Sequence, residues 1–72
     1  MMTRKEMIAF VRGLIAQYKK DIREAETAGV LKKREYTWQE YLADNTGVEI
    51  ADLTDLARLS NAELRQIVEA YI

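Results

Sequence analysis

Between residues 3 and 28, Met7, Ile8, Phe10, Val11, Leu14, Ile15, Tyr18, Ile22 and Ala25 recur at steps of three and four. At about 100° per residue they cover an arc of roughly 160°, the stripe of a long amphipathic helix. Lys5, Arg12, Lys19, Lys20 and Arg23 fall on the other side. The stripe is wider than the a/d seam of a coiled coil. It therefore needs cover from two sides, by two short helices or by a second copy of the chain. Leu14 is expected near the centre of the buried stripe and Glu24 on the polar side.

The ends of this helix are written in local chemistry. Thr3 and Glu6 have the spacing of a capping box. Gly29 suits the left-handed position that ends a helix near Ala28, and Val30 is expected to fold back on the last turn. Gly13 falls on the polar side, where it costs about 1 kcal/mol relative to alanine. That cost is either tolerated or marks a close approach of some other group.

The rest of the chain predicts three shorter helices. Thr37-Trp38-Gln39-Glu40 is a second capping box, opening a helix to about Asn45 with Trp38, Tyr41 and Leu42 on its apolar side. Gly47 stops it, and Val48 and Ile50 turn inward from the connection that follows. Asp52 or Glu49 opens a third helix, with Leu53, Leu56 and Ala57 on one face and Leu59 closing it. Ser60-Asn61-Ala62-Glu63 is a third capping box, and the last helix presents Leu64, Ile67, Val68 and Tyr71. No stretch alternates apolar and polar residues for more than a few positions, so no strand is predicted. There is no proline to interrupt a helix. The expected fold is all-α, a single helical domain over residues 1–72, with one long N-terminal helix and three short helices packed on it.

Composition narrows the chemistry. The chain has 72 residues, no cysteine and no histidine. A domain of this size buries only about 60% of the surface its unfolded chain exposes, and no disulfide or thiolate metal site is available to support it. Without histidine the commonest general base and metal ligand is missing, and the carboxylates stand at helix starts, where capping accounts for them. Residues 44–49 carry oxygen ligands but lack the length and the terminal bidentate Glu of a calcium loop. No catalytic residue, cofactor or metal site is therefore assigned, and the expectation is a protein that is not an enzyme. No apolar run is long enough to span a bilayer. Glu6 and Arg12 interrupt what would be the apolar core of a signal peptide. The absence of cysteine fits a reducing cytoplasm, which is the expected location.

The charge is unevenly spread. Residues 1–36 hold nine basic and five acidic groups, net +4, and residues 37–72 hold two basic and seven acidic, net −5. A basic helix beside acidic ones would partly cancel the two fields; alternatively, the two signs face different partners. Lys32, Lys33 and Arg34 form a basic connector with Tyr36 and Trp38 beside it. Aromatic residues with one apolar and one wet end are favoured at interfaces, so these five residues are the candidate partner-binding group.

Residues 39–56 have the outline of a helix-turn-helix. Tyr41, Leu42 and Ala43 stand at the apolar and small positions of its first helix, Gly47 at the turn, and Leu53 and Leu56 in the second helix. The following stretch Leu64-Arg65-Gln66-Ile67-Val68-Glu69-Ala70 is similar to the helix after the motif in repressor/Cro-type regulators. That resemblance implies a nucleic-acid-binding regulator. The second helix of the outline carries Glu49, Asp52 and Asp55 against a single Arg58. A recognition helix enters a groove lined by phosphates and supplies basic or amide side chains to the bases. The leading expectation is accordingly a small cytoplasmic adaptor or regulator that binds a protein partner of unknown identity, or itself as a homodimer. The helix-turn-helix regulator is the alternative.

Overall fold

The computed structural model describes residues 2–30 and 37–71. They form α1 (Arg4–Thr27), α2 (Trp38–Thr46), a 3₁₀ helix (Leu53–Arg58) and α3 (Asn61–Glu69), with no strand among them. The fold is the expected all-α one, with the shorter helices packed on a long first helix. At about 1.5 Å per residue, the 24 residues of α1 run roughly 36 Å. That is close to the full 39 Å length of the molecule, so α1 sets the long axis.

The start of α1 forms as its sequence dictates. The Thr3 hydroxyl accepts from the Glu6 N–H at 3.2 Å, and the Glu6 carboxylate accepts from the Thr3 N–H at 3.0 Å. At the other end Gly29 takes φ +77°, and the Val30 N–H donates to the Ala25 carbonyl at 2.9 Å. The Val30 backbone thus folds back as expected, but its side chain is 77% exposed.

Only part of the wide stripe reaches the centre. Met7, Val11, Ile15 and Tyr18 are buried; Ile8, Phe10, Leu14 and Ile22 on either flank are half-buried. Leu14 is therefore a flanking residue, because the shorter helices meet α1 along the line through Val11 and Ile15. Gly13 faces open space: a Cβ there would have no neighbour within 4 Å. Gly13→Ala should stabilise the protein by about 1 kcal/mol, since alanine is the better helix former and meets no clash. An unchanged or lowered midpoint in urea would contradict this.

α2 begins with half of its capping box. Thr37 accepts from the Glu40 N–H at 3.2 Å, and the reciprocal bond does not form. The helix ends at Gly47, with φ +78° and an N–H donated to the Ala43 carbonyl at 2.8 Å. The Gln66 amide, reaching over from α3, donates to the Thr46 carbonyl at 2.7 Å. Val48 and Ile50 then enter the core as predicted.

The third helix departs from expectation in kind. It is a 3₁₀ helix of six residues, opened by Asp52 rather than Glu49. The Asp55 carboxylate accepts from the Ala51 and Asp52 N–H groups, at 2.9 and 3.2 Å. Leu53, Leu56 and Leu59 are spaced by threes, which matches a helix of three residues per turn. Leu56 and Leu59 are buried, whereas Leu53 and Ala57, expected on the inner face, are exposed. The last helix has its full box: Ser60 accepts from the Glu63 N–H at 3.1 Å, and Glu63 accepts from the Ser60 N–H at 3.0 Å. Leu64, Ile67 and Val68 are buried as predicted, while Tyr71 is 39% exposed.

These caps tie stability to pH. Hydrogen bonds from the Thr3 and Ser60 backbones, then their side chains, hold Glu6 and Glu63 below the ordinary value of 4.5. The Thr54 side chain, then its backbone, does the same for Asp52, below 3.8. A carboxyl group with a depressed folded-state pKa contributes stability that is present above its unfolded value and lost as pH falls through its folded one. The melting temperature should therefore hold near neutral pH and decline as the pH drops below about 4.5. In the acid range Ser60→Ala should narrow its gap from the parent. A gap that is constant from pH 7 to pH 3 would show that the caps are not linked to proton binding.

Candidate functional site

Helix geometry places one set of charges with care. Lys5, Arg12 and Lys19 are spaced by seven, as are Ile8, Ile15 and Ile22. Each series drifts by only about 20° per heptad on a straight helix. The two rows therefore run side by side along one flank of α1, the isoleucines toward the core and the cations outside them. Ala9 and Ala16 form a third, exposed row beyond the cations.

Two open depressions lie on this flank. The first, of about 620 Å³, is lined by Arg4, Lys5, Ile8, Ala9 and Arg12. Ile8 and Ala9 give it an apolar floor, extended by the aliphatic stems of Lys5 and Arg12. Arg4 is already committed: its guanidinium donates to the Asn61 side chain and the Ala57 carbonyl, both at 2.9 Å. It locks the start of α1 to the start of α3, leaving Lys5 and Arg12 as the exposed cations of the rim.

The second depression, of about 420 Å³, lies where α1 meets α2 and is lined by Lys19, Ile22, Arg23, Glu26, Thr37, Trp38 and Gln39. Trp38, the first residue of α2, is half-buried, and the Lys19 ammonium stands 5.7 Å from its ring centroid. That is within the range of a cation–π contact. Next to this depression Tyr18 joins α1 to α2 and to the end of α3, with ring centroids 4.5 Å from Tyr41 and 6.2 Å from Tyr71. The Tyr18 hydroxyl is buried and has no hydrogen-bond partner among the described residues. Burial also raises the pKa of the Tyr71 hydroxyl.

Of the five residues singled out from sequence, Trp38 sits in this second depression. Lys32, Lys33, Arg34 and Tyr36 lie outside the described residues. In the sequence, Lys5, Arg12 and Lys19 fall with Lys20 and Arg23 on the side opposite the apolar stripe, and helical period alone does not set them apart as a row. The signal of the row is the shared spacing of seven in the cation and isoleucine series. Periodicity of 3.6 weighs every polar residue alike and passes over it.

A third depression, of about 510 Å³, is net acidic, with Glu49, Asp55 and Glu63 against Arg58 around Ile50 and Leu59. The helix-turn-helix outline does not take its expected shape. At about 2.0 Å per residue, the 3₁₀ helix is roughly 12 Å long, and Asp52 and Asp55 stand at its start. No group of three or more His, Cys, Asp or Glu side chains among the described residues is placed to hold a metal ion. No described helix is long and apolar enough to cross a membrane. Comparison with protein families, with curated proteins and with solved structures finds no match to this chain.

Proposed function

We propose that the chain is a non-enzymatic adaptor or regulator, acting in the cytoplasm, that binds a protein partner through the cationic flank of α1 and Trp38. The observation that carries this reading is the pair of apolar-floored depressions along one helix flank, rimmed by Lys5, Arg12, Lys19 and Arg23. Interfaces are enriched in aromatic and arginine anchors over apolar surface, and this flank supplies both. Self-association through the same flank is disfavoured. A twofold pairing would set the cation row against its own copy, where like charges repel. A homodimer would instead use another patch, such as half-buried Phe10 and Leu14 on the opposite flank.

The nucleic-acid alternative rests on the helix-turn-helix outline or on the Lys32-Lys33-Arg34 connector, which lies outside the described residues. In the outline, the place of the recognition helix is taken by a short 3₁₀ helix that opens on carboxylates. Affinity capture from the source cell with the parent protein and with the double variant R12E/K19E tests the proposal. A discrete protein retained by the parent and lost from the variant is the expected result; identical captures by both would overturn it. In parallel, binding to random duplex DNA should be weak and vanish at moderate salt. Tight, sequence-selective binding at physiological salt would make the regulator reading the better one.

A further inference from the structure

Taking the cationic flank of α1 as the interaction surface, we infer that its occupant is an acidic amphipathic α-helix laid along α1 over about two heptads. Three features set this shape. The two depressions are floored by Ile8 and Ile22, which stand 14 residues apart, or roughly 21 Å along the axis. A second helix presents apolar residues at the same interval when its own repeat is seven. Beyond the cations the flank carries the exposed Ala9 and Ala16, whose small side chains leave room for a second backbone to lie close beside the cation row. The rim carries Lys5, Arg12, Lys19 and Arg23 over the same length, against one carboxylate, Glu26, at the far end. A complementary helix therefore bears Glu or Asp on both sides of its apolar seam.

The drift of the isoleucine and cation rows sets the path of the partner. A stripe that repeats every seven residues winds slowly around a straight helix, so the occupant follows it with a left-handed crossing. Duplex nucleic acid would use the cations but leave Ile8, Ile22 and the Trp38 edge facing phosphate. A second copy of this chain is a poorer fit, because the apolar faces of its short helices are already buried on α1.

The probe is a 21-residue synthetic helix with leucine at the a and d positions and glutamate beside them. It is compared with the same peptide carrying lysine for glutamate, and with a scrambled acidic peptide of identical composition. The intact protein should bind the first at least about tenfold more tightly than either control. Arg12→Glu should weaken that binding by about tenfold, and Ile8→Asp should abolish it. Both positions lie on the flank outside the central core, and thermal denaturation checks that each variant remains folded. Equal binding of the scrambled peptide would reduce the site to a charge effect and overturn the inference. So would preference for duplex DNA over the acidic helix, or a dimer in sedimentation that Arg12→Glu dissociates. If the captured cellular partner depends on Arg12 and Lys19 while the peptide does not bind, the helical occupant is wrong and the interaction reading stands.

Discussion

Ile15→Ala is expected to destabilise the protein by about 2–5 kcal/mol, the range for deleting a large aliphatic side chain from a packed core. Ile15 is 1% exposed and lies on the line where the shorter helices meet α1. Domains carry about 0.05–0.15 kcal/mol of stability per residue, so a chain of 72 residues has little in reserve. On that scale the parent holds about 4–11 kcal/mol, so the variant should remain folded with a much reduced margin. Leu14→Ala, one position away and half-buried, should cost clearly less, and Glu24→Ala almost nothing. Urea denaturation of the three variants orders them. If Leu14 proved the costlier position, α1 would be rotated about its axis relative to the structure described.

Gly47→Ala should be the most damaging glycine substitution, at about 2–3 kcal/mol when backbone strain and a lost hydrogen bond are added. Gly47 has φ +78°, where an L side chain is strained. A Cβ there would also lie 3.0 Å from the Gln66 amide nitrogen. That amide donates to the Thr46 carbonyl at the end of α2, so making room for the methyl group pulls the cap apart. Gly29→Ala shares the positive φ but meets nothing within 4 Å, and should cost only the strain. Equal melting temperatures for the two variants would show that the Gln66 contact contributes nothing.

How much of this was legible in the sequence depends on how far each interaction reaches. The boxes at Thr3 and Ser60 were readable because both partners lie within four residues. The choice between Leu14 and Ile15 was not. Both belong to the same apolar arc, and only the placement of the other helices decides which faces them. The third helix is legible as a helix, but the inner face expected from Leu53, Leu56 and Ala57 does not distinguish α from 3₁₀ winding, and only Leu56 of the three is buried. The Arg4 clamp joins residues 53 and 57 positions apart, beyond any local pattern. In the candidate site, Trp38 was legible as an aromatic beside positive charge. The Lys5–Arg12–Lys19 row was not, since a cation on a polar face looks the same in sequence whether or not apolar surface lies next to it.

The way the shorter helices gather on α1 has a kinetic side. α2, the 3₁₀ helix and α3 pack mainly on α1 and little on one another. No pair of them encloses a core that could persist alone, and α1 by itself leaves its apolar stripe in water. Opening should therefore be all-or-none, without a separable cooperative unit. Amide protons in the middle of α1 and in α3 should then report one common opening free energy, that of global unfolding. During synthesis the residues that precede α3, about five-sixths of the chain, must wait with part of the stripe uncovered until α3 has emerged to close the structure.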